Sequence, residues 1–100
     1  MIKVLVFKQE NCAPCKALWD SVHKGYDEDE EFNSKRIEFQ TTWFDMSNPS
    51  DDAIELSVKY NVRSAPTVVV LKDDGSAYYS GTMVRTWDKF KQLIEEAKAA

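Results

Sequence analysis

The chain has 100 residues, 43% of them apolar and 30% charged, with a formal net charge of −4 and a pI near 4.9. That length suits one hydrophobic core, and a single domain over residues 1–100 is expected. The acidic balance argues against non-specific nucleic-acid binding, which requires a Lys/Arg cluster, and no run approaches the roughly 18 apolar residues of a membrane span.

In chain order, Ile2-Lys3-Val4-Leu5-Val6-Phe7 is a run of β-branched and apolar residues that predicts a central, buried strand. It is too short for a signal-peptide core and is bounded by Lys8, so no export signal is read and the cytoplasm is the default compartment. Gln9-Glu10-Asn11 is a polar loop, and a helix is predicted to begin around Cys12–Pro14, because proline is tolerated in a first turn. Leu18, Val22 and Tyr26 recur at four-residue spacing along it, and Gly25 is expected to end or bend it. The acidic run Asp27-Glu28-Asp29-Glu30-Glu31 reads as a solvated helix end or loop, with a docking patch for a basic partner such as a reductase as the alternative.

From Arg36 to Phe44, Ile37, Phe39, Thr41 and Trp43 alternate with Glu38, Gln40 and Thr42, the period of a second strand. Ser47-Asn48-Pro49-Ser50 signals a turn and a helix start, with Asp51 and Asp52 suited to a first turn. Ala53, Ile54, Leu56, Val58 and Tyr60 then predict a helix ending near Asn61. Thr67 to Leu71 is the most strand-like run, and Asp73-Asp74-Gly75 turns it into an antiparallel partner, Ala77 to Ser80. A last amphipathic helix from about Trp87 to Ala97 would bury Trp87, Phe90, Leu93, Ile94 and Ala97. The resulting order, β-α-β-α-β-β-α, predicts an α/β fold with helices on both faces of a four-stranded mixed sheet.

The only two cysteines, Cys12 and Cys15, stand at the predicted strand-to-helix junction. Together with the single histidine, His23, they cannot supply a four-ligand zinc site within one chain, so no metal is expected; only a dimer pooling its cysteines could make one. A bridge closing so short a loop removes little entropy from the unfolded chain, which argues against a purely structural role. Residues i and i+3 of a helical turn lie on one face, close enough for their sulfurs to bond and separate. Cys12 would fall at the helix N-terminus, where free N–H groups and the helix dipole favour the thiolate, with slight help from Lys16. The implied chemistry is two-step exchange, with attack by Cys12 on a disulfide and resolution by Cys15. Ser64-Ala65-Pro66-Thr67 on its own reads equally as a turn before a strand or as a cis proline. The upstream CxxC shifts that reading towards a cis proline facing the dithiol.

These two segments resemble thioredoxins, and the resemblance extends over nearly the whole chain. Leu5-Val6-Phe7 with Glu10 to Lys16, and Tyr60-x-Val62-Arg63-x-x-Pro66-Thr67, carry it most closely, and Gly81 fits the family's glycine at the edge of the substrate groove. The resemblance implies a thioredoxin-like fold of four strands flanked by three helices, without the family's extra N-terminal strand and helix. It makes Cys12 the exposed nucleophile, Cys15 the buried resolving thiol and Pro66 a cis proline, with the Ala65 backbone, Thr67 and Gly81 meeting substrate. Ala13, Pro14 and Lys16 support the dithiol. A protein-disulfide reductase is implied, with no cofactor beyond the Cys12–Cys15 pair. Its partners would be protein disulfides, ribonucleotide reductase among the candidates, and a thioredoxin reductase or equivalent electron donor. A monomer is expected, in the cytoplasm, or in a host's cytoplasm if the protein is phage-encoded.

Departures from the family pattern are specific. Asn11 stands where the family has Trp, and Ala13-Pro14 where it has Gly-Pro. Val6 replaces the buried Asp that handles the resolving thiol's proton, and the matching lysine is lost near Thr41. A glutaredoxin-type enzyme is the nearer rival, but Ser80-Gly81-Thr82-Met83 lacks the double glycine of that family. A non-enzymatic binding module on the same fold is the rival of another class. His23 reads as a structural or surface residue, Lys8 as an ordinary solvent-facing lysine with an exposed groove residue as the alternative, and Trp19, Trp43 and Trp87 as core or core-edge residues. One of these tryptophans is a candidate to stand in for the indole missing beside the dithiol.

Overall fold

In the computed structural model, which describes residues 1–100, strand β1 (Ile2–Lys8) turns Ile2, Val4 and Val6 to one face of a sheet and Leu5 and Phe7 to the other. It is one of the two inner strands of the sheet, and helices cover both of its faces. Its neighbours are β2 (Phe39–Asp45), which is parallel, and β3 (Thr67–Leu71), which is antiparallel. Strand β4 (Ala77–Gly81) pairs antiparallel with β3, giving the mixed four-stranded order β2-β1-β3-β4. Gly75, at φ 87°, makes the turn between β3 and β4, a conformation that costs glycine little.

Helices α1 (Ala13–Glu28) and α4 (Trp87–Ala99) cover one face, and α3 (Asp51–Lys59) covers the other. The larger cluster packs Ile2, Val4, Val6, Val68 and Val70 of the sheet against Leu18 and Val22 of α1 and the apolar side of α4. All five residues expected to face inward from α4 are buried there. The smaller cluster sets Leu5, Phe7, Val69 and Leu71 against Leu56, Tyr60 and Val62. Ala53, Leu56 and Tyr60 share one face of α3, so Ile54 and Val58 point outward, at 48% and 76% exposure. Asn61, at φ 54°, ends that helix in the left-handed region, and the Val62 N–H closes back onto the Ser57 carbonyl at 2.8 Å.

Three local expectations change. Strand β2 starts at Phe39 rather than Arg36, because Arg36 adopts φ 53° and cannot extend a strand. Gly25 neither ends nor bends α1, which continues to Glu28; instead it continues the buried stripe of Cys15, Leu18 and Val22 at the point where Trp87 packs. A methyl group at Gly25 would overlap Cβ, Cγ and Cδ1 of Trp87. Tyr26 is left 44% exposed and meets Phe39 and Trp87 edge-on.

The third change is in the acidic run, which is not simply solvated. It contains a fourth, short helix, α2 (Glu30–Ser34), capped by Asp29, whose Oδ1 accepts the Phe32 N–H at 2.9 Å. Oδ2 of the same carboxylate accepts from Lys91 Nζ at 2.6 Å and from Trp87 Nε1 at 2.9 Å. The Lys91 ammonium first, then the Phe32 N–H and the Trp87 indole, hold Asp29 ionised well below the usual carboxylate range. Because its folded pKa lies below the unfolded value near 3.8, its contribution is present above that pH and is lost as pH falls through the folded value. Urea melts at pH 7 and pH 3 should therefore show Asp29→Asn losing less stability on acidification than the native chain.

Candidate active site

The end of β1 and the start of α1 build the site. Asn11, at φ 53°, uses the left-handed conformation that asparagine tolerates to turn the chain, and Cys12 then takes the N-cap position at φ −110° and ψ 100°. Capping is done by sulfur: Cys12 Sγ accepts the Cys15 N–H at 3.3 Å, where serine or aspartate normally offers oxygen. An anion on that sulfur meets both a donor and the positive end of the helix dipole. Pro14 occupies the first turn without loss, since no intrahelical partner awaits its missing N–H. Cys12 and Cys15 are disulfide-bonded, with Cα atoms 5.2 Å apart. Cys12 is partly exposed, whereas Cys15 is buried at 3%.

Opposite lies the start of β3. The Ala65–Pro66 peptide bond is cis, and the Ala65 carbonyl oxygen stands 3.9 Å from Cys12 Sγ. Pro66 is fully buried, and Thr67 Oγ1 donates to the Ser64 carbonyl at 2.6 Å, tying down the bend. Gly81 lies on the edge strand β4 in register with Val68, two residues past Pro66, and a Cβ there would press on the Tyr79 hydroxyl.

A cleft of about 640 Å³ opens at the dithiol, lined by Lys8, Gln9, Asn11, Cys12, Ala13, Cys15, Lys16 and Trp19. None of these residues is acidic. Val6 is completely enclosed, in register with Trp43 on one side and Val68 on the other, and its side chain offers no proton acceptor. Thr41 is half-buried on β2 in register with Val4 and lines a second hollow of about 270 Å³ with His23, Tyr26, Phe39 and Trp43.

The sequence pattern puts Trp19 in or at the edge of the core; the structure places it beside the dithiol, 39% exposed. It stacks on His23 at 4.0 Å and meets the Trp43 ring edge-on at 4.7 Å, and its carbonyl lies 2.8 Å from His23 Nδ1. The signal for this is helical spacing, because residues 12, 15, 16 and 19 lie on one side of a helix. Lys8 forms part of the cleft wall, as the alternative reading of it as a groove residue expects.

A disulfide-forming pair on the first turn of a helix, facing a cis-proline segment at a strand start, defines a thiol–disulfide oxidoreductase of thioredoxin-like fold. The thioredoxin-like domain family matches residues 2–98, and the chain belongs to that family. Among solved structures it is similar to an uncharacterised thioredoxin-like protein from Clostridium perfringens, with a TM-score of 0.76 and 17% identity over 98% of this chain and 71% of that one. Oxidised thioredoxin O2 from Arabidopsis thaliana superposes with a TM-score of 0.69 at 18% identity, covering 96% of this chain and 74% of that one. A single-site mutant of a thioredoxin from Halobacterium salinarum gives 0.68 at 23% identity, with the same coverage of 96% and 74%. No curated protein matches the sequence. No helix is long and apolar enough to cross a membrane.

Proposed function

We propose that this protein is a protein-disulfide reductase working by dithiol–disulfide exchange. The observation that carries the reading is the position of Cys12 Sγ: N-cap of α1, accepting the Cys15 N–H, beside the Ala65 carbonyl. In the reduced form the Cys12 thiolate attacks one sulfur of a client disulfide and expels the other as a thiolate, leaving a mixed disulfide. Cys15 then loses its proton and attacks Cys12 Sγ, closing the internal bridge and releasing the client's second thiol. Two electrons pass to the client, and an external thiol donor such as a thioredoxin reductase restores the dithiol. The Ala65 backbone, beside the sulfur, is suited to align an extended client segment.

The resolving proton has no buried carboxylate to receive it, since Val6 fills that place, so it leaves through water in the cleft. The pH–rate profile of insulin-disulfide reduction should show the Cys12 thiol inflection and no second one from a buried acid. An additional carboxylate-like inflection that survives substitution of the exposed acids would refute that route. The equilibrium of Cys12 and Cys15 with a glutathione redox buffer tests the direction. A pair as reducing as the cytosolic pool supports a reductase of that compartment, and one held reduced at oxidising poise points to an oxidant instead.

A further inference from the structure

We infer that the dithiol cleft selects disulfides flanked by carboxylates, and that its clients carry Asp or Glu next to the attacked half-cystine. The inference rests on the reading of Cys12 as the attacking thiolate and adds a substrate class to it. Over the whole chain acidic residues outnumber basic ones 17 to 13. The residues that line the cleft reverse the balance: they include Lys8 and Lys16, the amides of Gln9 and Asn11, and no acid, the exposed Glu10 of the same loop standing outside the lining.

Neither cation is held in a buried ion pair. Lys8 takes part in none of the ion pairs of the fold. Asp45, its neighbour in register on β2, accepts the Ser47 N–H at 3.0 Å and makes no ion pair with it. Lys16 has one partner, Asp20, at 3.3 Å, with side chains 78% and 61% exposed; a pair so wet is easily exchanged for another anion. The acidic run begins at Asp27, at the far end of α1. From Lys16 to Glu28 the helix rises about 18 Å, roughly two screening lengths at physiological salt. The acidic run therefore does little to the local field, and an anionic group entering the cleft meets one unpaired lysine, Lys8, one lysine in an exposed and exchangeable pair, Lys16, and two amide donors.

The exchange is the one described above, with two electrons passing from the Cys12–Cys15 dithiol to the client disulfide. The cations act by holding the client's carboxylates while Cys12 attacks. Glutathione disulfide also carries carboxylates and shares this chemistry; an extended polypeptide is favoured because the Ala65 backbone lies beside the sulfur, ready for a strand-like segment.

Stopped-flow rates of the reduced protein with matched peptide disulfides, flanked by Asp, Ser or Lys, test this at physiological salt. The Asp-flanked peptide is expected to react about three- to tenfold faster than the Ser-flanked one, the effect of two partly exposed ion pairs. The Lys-flanked peptide should be slower than either. In a Lys8→Gln, Lys16→Gln variant the Asp-to-Ser ratio should fall to within about twofold of unity; taking a ratio removes any change in the Cys12 thiol itself. A native ratio of one or less, or a ratio unchanged in the variant, overturns the inference. Glutathione disulfide reacting faster than the Asp-flanked peptide, with that advantage lost in the variant, overturns the polypeptide assignment. If no peptide, including the neutral one, is reduced in a Cys12-dependent way, the reductase reading itself has failed.

Discussion

Cys12→Ser should bring disulfide reduction to the background rate, whereas Cys15→Ser should yield a protein that attacks once and stalls. The difference follows from where the two sulfurs sit. Only Cys12 is partly exposed, and only its sulfur occupies the N-cap, so a serine hydroxyl there keeps the cap while removing the nucleophile. Cys15 is buried one turn on and is held against Cys12, so its attack on a mixed disulfide is intramolecular. Well-aligned intramolecular reactions have effective molarities of about 10⁵ M or more, against millimolar thiol in solution. Release from Cys15→Ser should therefore slow by at least about a hundredfold, long enough to isolate the covalent adduct. Mass spectrometry of Cys15→Ser mixed with a client disulfide checks this. An adduct on Cys12 is the expected species, and turnover that survives Cys12→Ser would refute the mechanism.

The second large effect concerns stability. Trp87→Ala should cost about 3–5 kcal/mol, as deletion of a large buried aromatic does. Trp87 is 6% exposed, meets Phe32 and Phe90, and its indole N–H donates to Asp29 Oδ2 at 2.9 Å, a bond that alanine loses, whereas its backbone N–H on Ser21 Oγ is kept. Gly25→Ala is the informative partner. In an open helix interior that change gains about 1 kcal/mol, but here the new methyl overlaps the root of the Trp87 side chain, which cannot swing away. Overpacking of this kind costs about 1–3 kcal/mol beyond any gain, or roughly 4–8 °C per kcal/mol in a domain of this size. In the Trp87→Ala background Cγ and Cδ1 are gone but Cβ still overlaps the new methyl, so the Gly25→Ala penalty should shrink without reversing. Thermal melts of the four proteins read that reduction directly. An equal penalty in both backgrounds would show that the Trp87 indole is not what requires the glycine.

These two sites also mark how much the sequence alone could reveal. The element order and sheet were legible because periods of two and near four, Gly75 in its turn and proline in a first turn each state a local preference. The CxxC pair was legible as a motif, whereas the Pro66 segment alone read equally as a plain turn, and its meeting with the dithiol rested on the upstream CxxC and the resemblance to thioredoxins. Gly25 was not legible, because local rules treat a helical glycine as a break and its reason lies on α4. Asp29 looks like one acid among five, and what sets it apart is Trp87 and Lys91, 58 and 62 positions away. Trp19 carries an ambiguous signal, since an aromatic residue at helical spacing reads as core unless the cleft it borders is visible. Ile54 and Val58 stand among the apolar residues that mark α3, yet they face outward, because α3 is apolar on more sides than the sheet can cover.

The bridge joins two residues on a single helical turn. Opening it releases no long loop and frees no element to move. The oxidised and reduced forms should therefore share one fold and nearly one surface. A partner that must tell the two forms apart has little shape to read. It has to sense the sulfur itself, its charge when open and its neutrality when closed, through the few atoms around Ala65 and the lysine-lined mouth. Discrimination between charged and spent carrier is then a matter of chemistry at one atom rather than of conformation.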